Sequence, residues 1–120
     1  MTFETTTHKD YSGAWRAESV AILGEVPEGT RKLELVTSKV RGGIAASANV
    51  FIYKDEGTGF SSKTTEIFGD FCKRGIAQTP CKRVTEKAVK EVHSRALLEM
   101  DAIVAEAKVF YENHDAEKAA

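Results

Sequence analysis

The sequence predicts an α+β fold, in which an antiparallel β-meander of about four strands is followed by one long C-terminal α-helix packed on the sheet. Strand-like segments separated by glycine-containing turns come first. No glycine or proline follows Pro80, and apolar residues from Val89 to Phe110 recur at steps of three and four, the period of one helix face. Strands followed by a helix are typical of α+β folds rather than of parallel βαβ folds.

The N-terminal quarter gives the weakest pattern. Residues 1–10 are polar and rich in threonine, which fits a frayed terminus or an edge strand, and we expect fraying. The segment Trp15–Leu23 ends in a short apolar run that suits a strand or a short helix. We favour a strand, because residues 26–29 (Val-Pro-Glu-Gly) then form a turn into the next one.

The central segments alternate as strands do. Lys32–Val40 places Leu33, Leu35 and Thr37 on one face. Gly42-Gly43 then suits a tight hairpin turn, and Ile44–Tyr53 is the return strand.

A third strand of the meander is predicted at Phe60–Phe71, after a turn at residues 55–59. Gly69 is expected to mark a bulge or bend in this strand, and residues 73–75 (Lys-Arg-Gly) are expected to end it.

The helix is predicted to begin with Thr79 as its N-cap and Pro80 as its first residue, and to continue to about Glu112. About 33 residues at ~1.5 Å each make a rod of roughly 50 Å, whereas a compact domain of this length has a radius of gyration of only about 13–14 Å. The rod is therefore too long for its own domain unless it breaks or its far end is covered. Either the first turns cover the sheet and the rest frays, or, as we favour, a second copy of the chain packs on the far end, as a homodimer. The expected interface residues are Leu97, Met100, Val104, Ala107 and Tyr111. Residues 113–120 are expected to be a frayed acidic tail.

Composition indicates one domain, since the chain has 120 residues, 42% hydrophobic and 29% charged. Net charge is only −1, but its distribution is uneven: residues 39–95 carry 11 basic and 6 acidic side chains, whereas residues 96–120 carry 2 basic and 6 acidic. The basic middle of the chain indicates an anionic partner more clearly than the total charge does.

A basic cluster is predicted where the last strand meets the helix. A helix N-terminus prefers acidic residues in its first turn, and the predicted start places Lys82 and Arg83 there instead. Basic side chains beside free N–H groups suit phosphate. The residues predicted to bind nucleic acid are Lys73, Arg74, Lys82, Arg83, Lys87 and Lys90. Phe51, Tyr53 and Phe60 are either core residues or an aromatic surface that stacks single-stranded bases.

Catalysis finds little support. The sequence has no phosphate-cradling GxxxxGK[ST], no HExxH and no GxSxG. Cys72 and Cys81 are expected to be free thiols, and together with His93 and His114 they lack the spacing of zinc ligands. His93 is expected to be a partly buried packing residue. We therefore predict neither a metal nor a cofactor.

The leading hypothesis is a small, non-catalytic, homodimeric protein that binds nucleic acid, with single strands favoured. The alternative is a protein–protein interaction module, an inhibitor or adaptor, that uses the long amphipathic helix or the acidic tail. The N-terminus lacks the apolar core of a secretory signal, and no apolar run reaches the ~18 residues of a membrane span. A cytoplasmic protein with no membrane partner is the expectation.

Overall fold

The computed structural model describes the backbone of residues 3–55 and 64–119 and confirms the α+β fold. Five antiparallel strands form one sheet in chain order, each paired with the next. The strands are β1 (Thr5–Lys9), β2 (Trp15–Val26), β3 (Gly29–Val40), β4 (Gly43–Asp55) and β5 (Thr64–Pro80). Two helices follow, α1 (Glu86–Leu97) and α2 (Met100–Ala119), and they pack on one face of the sheet.

The strand predictions for the centre of the chain are confirmed, but the turn between β3 and β4 lies one residue earlier than predicted: it consists of Arg41 and Gly42, and Gly43 is the first residue of β4, paired with Val40. Trp15–Leu23 lies within β2, and β2 pairs with β3 through the turn after Val26. Leu33, Leu35 and Thr37 all face the helices and are fully buried.

The two ends of the predicted meander differ from the expectation. Thr5–Lys9 is an edge strand rather than a frayed terminus. The last strand does not end at residues 73–75 but continues to Pro80. Gly69 lies in an irregular part of it, because Asn49 pairs with Cys72 whereas Phe51 pairs with Phe68. Most of the turn predicted at residues 55–59 lies outside the described residues.

The predicted helix start is wrong. Thr79 and Pro80 pair with Ile44 and Gly43 of β4, so they complete the sheet. Proline is tolerated there because β5 is an edge strand, whose outer side needs no donor. The helix begins six residues later, where the side chain of Thr85 accepts a hydrogen bond from the backbone N–H of Ala88.

The helical stretch is divided at Leu98 and Glu99, although neither glycine nor proline occurs there. Ala96 and Met100, on the two sides of the break, are both fully buried. A straight rod cannot follow a twisted sheet over this length, and the break keeps the apolar faces of both helices on the sheet. The helical stretch reaches to Ala119, beyond the predicted end.

The chain's own sheet covers the far end of the helical region, where a second copy of the chain was expected. Strands β2 and β5 have 12 and 17 residues, which at about 3.3 Å per residue extend for roughly 40–55 Å. The sheet is therefore long enough to cover both helices. Four of the five predicted dimer residues are buried in this core, and Leu97 packs beside them half-buried. These four are Met100, Val104, Ala107 and Tyr111. A dimer built on them would first have to open the core, so the predicted interface is corrected and the dimer itself stays a prediction.

Among the described residues, neither α1 nor α2 combines the length and the apolar character that a membrane span requires.

Candidate nucleic-acid interface

Three chain connections lie at one end of the sheet. They are the β1–β2 turn (residues 10–14), the β3–β4 turn (Arg41 and Gly42) and the β5–α1 connection (residues 81–85). The antiparallel register brings them together. At this end of the sheet β2 begins and β3 ends, and Pro80, the last residue of β5, pairs with Gly43, the first residue of β4.

A backbone hydrogen bond joins two of these connections. The N–H of Cys81 donates to the carbonyl oxygen of Gly42 at 3.2 Å. Gly42 has φ +82°, a conformation that glycine adopts without strain. Arg41 precedes Gly42 and Lys82 follows Cys81, so one hydrogen bond holds two basic residues close together.

Four exposed cations gather here, and we call them the basic end: Lys39, Arg41, Lys82 and Arg83. Lys39 and Lys82 line a cavity of about 610 Å³ between the β3–β4 turn and the β5–α1 connection, with Pro80 and Cys81 in its wall. None of the four cations forms an ion pair with a described residue. Such a group repels itself and attracts anions.

The six predicted nucleic-acid residues do not converge on one surface. Lys73 pairs with Ala48 and Pro80 with Gly43, so about five residues of β4, roughly 17 Å at about 3.3 Å each, separate Lys73 from the basic end. Arg74 lies beside Lys73. Only Lys82 and Arg83 belong to the basic end, and neither lies in the first turn of the helix.

Two of the six cations are already engaged. The Nζ atom of Lys73 lies 2.8 Å from a carboxylate oxygen of Glu106 on α2. The Nζ atom of Lys90 lies 2.7 Å from a carboxylate oxygen of Glu86, one helical turn earlier, a spacing at which ion pairs form on a helix. Lys87 is exposed in the first turn of α1.

The predicted aromatic surface does not form as expected. Phe51 is only 8% exposed. Tyr53 is half-buried, with Nζ of Lys32 4.6 Å from its ring centroid. Phe60 lies outside the described residues.

Two other aromatic side chains lie at the same end of the sheet as the basic end. Tyr11 is fully exposed at the tip of the β1–β2 turn. Trp15 is half-buried, and Nζ of Lys9 lies 5.3 Å from its ring centroid. Ala17 pairs with Thr37. Trp15 and Lys39, each two residues nearer this end of the sheet, therefore lie opposite each other and on the same face.

The turn that carries Tyr11 is well defined. The carboxylate of Asp10 accepts hydrogen bonds from the backbone N–H groups of Ser12 at 2.9 Å and Ala14 at 3.2 Å, and from the Ser12 hydroxyl. The Ser12 hydroxyl bond is the main reason that the pKa of Asp10 lies below its usual value. Sequence reasoning missed this feature, although Asp-Tyr-Ser-Gly is a strong turn pattern that leaves tyrosine at its tip.

A serine–histidine pair exists, but it lies inside the core. Ser19 Oγ is 2.8 Å from Nε2 of His93, and Thr37 Oγ1 is 2.7 Å from Nδ1. Both Ser19 and His93 are 1% exposed, and burial lowers the pKa of His93. A catalytic triad places a carboxylate where Thr37 stands. The hydroxyls therefore satisfy a buried neutral imidazole, which is more completely buried than predicted.

Within the part of the chain that the structure describes, no three histidine, cysteine or acidic side chains come together as metal ligands. Cys72 is exposed and Cys81 half-buried, and both are free thiols.

The sequence matches no protein-family model, and comparison with curated proteins and with solved structures finds no significant match.

Proposed function

We propose that the protein is a non-catalytic nucleic-acid-binding protein whose contact surface is the basic end. The supporting observation is that four exposed cations, from the end of β3 and from two hydrogen-bonded connections, gather there and form no ion pair with a carboxylate of the described residues. Cations in this arrangement contact phosphates and release counterions, the main source of sequence-independent affinity for nucleic acids. The Lys73 and Arg74 part of the earlier prediction is set aside, because those residues lie on the free edge of β5, where charge commonly prevents strand pairing.

Single strands are the favoured partner, because Trp15 lies opposite Lys39 and Tyr11 is exposed at the same end of the sheet. Each aromatic ring can stack on an unpaired base, and such stacking is worth about 1–3 kcal/mol per base. Paired bases inside a duplex present no free face to such rings. We therefore expect single-stranded oligonucleotides to bind more tightly than duplexes of equal length.

The test compares two charge reversals in a fluorescence anisotropy titration with a labelled single-stranded oligonucleotide. Lys82→Glu removes a cation from the basic end, and we expect at least tenfold weaker binding. Lys108→Glu makes the same charge change on an exposed position of α2, beside the cavity that Arg31 and Asp115 line, and we expect little effect. Equal affinities for the two variants would refute the site.

The alternative, a protein-interaction module, remains the second candidate. The apolar face of the helices, on which that hypothesis relied, packs on the sheet. Exposed apolar side chains do remain on the outside of the helical region: Leu98 is 87% exposed and Val109 57%. Salt discriminates between the two functions, because phosphate contacts weaken steeply as salt rises whereas an apolar contact responds little.

A further inference from the structure

The helix-free face of the sheet holds a second cavity, of about 510 Å³, that the proposed function does not use. Val36 of β3 forms its floor and is only 7% exposed, although the helices lie on the opposite face. Val36 pairs with Glu18 on one neighbouring strand and with Ser47 on the other. Along β3 itself, Glu34 and Ser38 flank it at two residues' distance. An apolar floor is thus surrounded by four polar side chains.

The lining carries one positive and two negative charges. The guanidinium of Arg16 donates through Nε to Glu18, and its terminal nitrogen lies 3.6 Å from a carboxylate oxygen of Glu34. An ionised carboxylate offers about four acceptor positions, so the bond from Arg16 leaves Glu18 with acceptor capacity. The cavity therefore disfavours phosphate and favours a ligand that presents N–H donors.

A planar heterocycle fits this arrangement, because its faces are apolar and its edge is polar. Proteins that bind single-stranded nucleic acid hydrogen-bond unstacked bases along their Watson–Crick edges. Guanine presents a ring N–H and an amino group side by side on that edge, and one carboxylate can accept both. Asn49 and Ser47 add further polar groups to the same lining.

The cavity also adjoins a surface that leads to Tyr11 in the β1–β2 turn. Arg16 and Glu18 line a neighbouring depression together with His8, Lys9 and Tyr11. A strand whose base stacks on Tyr11 can therefore place another base in the cavity, while its phosphates stay on the cations.

We propose that this cavity binds an unpaired guanine base through the carboxylates of Glu18 and Glu34. As a feature of nucleic-acid recognition the proposal rests on the proposed function, but the cavity can be tested without it, because a nucleoside carries no phosphate.

The experiment titrates guanosine and inosine into the protein and measures both dissociation constants by NMR chemical shifts. Inosine lacks only the amino group, so we expect it to bind at least fivefold more weakly than guanosine. Glu18→Gln and Glu34→Gln each place a donor where an acceptor is needed, and we expect at least one of them to weaken guanosine binding tenfold or more. Glu28→Gln, in the exposed β2–β3 turn, makes the same change away from the cavity and should have no effect.

Guanosine binding that both cavity variants leave unchanged would overturn the proposal, and so would equal affinity for inosine or no binding of guanosine. The proposed function has its own readout. If oligonucleotides bind in a manner that depends on salt and on Lys82, but without preference for guanine, the basic end stands and the guanine site falls. If guanosine binds and oligonucleotides do not, the guanine site is supported and the proposed nucleic-acid-binding function is refuted.

Discussion

Replacing Gly69 with alanine tests the packing of α2 against the irregular part of β5. A Cβ atom at this position would lie 2.3 Å from the hydroxyl oxygen of Tyr111 and 3.3 Å from the carbonyl oxygen of Val50. That hydroxyl accepts a hydrogen bond from the backbone N–H of Phe71 at 3.2 Å. Gly69 thus makes room for the contact that attaches the second half of α2 to β5.

The expected magnitudes follow from these distances. Overpacking a tight site typically costs about 1–3 kcal/mol, from which the lower entropy of the unfolded alanine chain subtracts about 0.4–1 kcal/mol. We therefore expect Gly69→Ala to lower the free energy of unfolding by about 1–2 kcal/mol. Tyr111→Phe leaves the N–H of Phe71 without its partner, which costs about 1–3 kcal/mol.

The double variant Gly69→Ala/Tyr111→Phe tests whether the new methyl group meets the hydroxyl of Tyr111, because Tyr111→Phe removes that oxygen. We expect it to be about as stable as Tyr111→Phe alone, so that the two changes fall short of additivity by about 1–2 kcal/mol. Urea unfolding followed by circular dichroism measures all four proteins. Tyr11→Phe, whose hydroxyl is exposed, is the matched control and should be neutral. Additivity within about 0.5 kcal/mol would refute the predicted contact.

Three further predictions follow from the core, the helix start and the α2–β3 contact. Burial lowers the pKa of His93 in the folded protein, so below the ordinary histidine pKa of about 6.5 the unfolded chain binds more protons than the folded one. The free energy of unfolding should therefore fall as pH drops from about 7 to 5.5. Urea titrations of His93→Gln should show a shallower dependence on pH. Thr85→Ala should lower the free energy of unfolding by about 1 kcal/mol, since the N-cap hydrogen bond is lost, and an unchanged urea midpoint would contradict it. Arg31 donates to Asp115 at 3.0 and 3.2 Å and stacks on Tyr111, so Arg31→Ala should accelerate amide exchange in the last turns of α2, measured by mass spectrometry.

The central hairpins could be predicted from the sequence because their signals are local. Alternation in β3 and the glycine pair at its end specify strand, face and turn within a few residues. The apolar period of the helical region likewise predicted most of the buried side chains: Val89, Ala96 and Met100 are in the core, whereas Phe110, at the end of the predicted face, is 37% exposed.

The helix start and the helix break could not be predicted, because distant parts of the chain decide them. Thr79 and Pro80 resemble a helix start, yet pairing with β4 keeps them in the sheet. The break at Leu98 has no local signal and follows the twist of the sheet. The length of the helical region does not by itself require a dimer, because strands of 12 and 17 residues are long enough to cover both helices; the dimer stays a prediction.

The candidate site was partly predictable for the same reason. Lys82 and Arg83 were identified from their local charge, but sequence distance grouped them with Lys73 and Arg74. Strand register instead brings them to Lys39 and Arg41, some forty residues earlier in the chain. Only the antiparallel pairing of β4 with β5 reveals that neighbourhood.

The most direct test of the basic end is to titrate a short single-stranded oligonucleotide into isotope-labelled protein and map the amide shifts at low and at raised salt. We expect the largest shifts at Arg41, Gly42, Cys81 and Lys82, and we expect them to diminish as salt rises. Shifts that are absent, or that are confined to α2 and unaffected by salt, would contradict it.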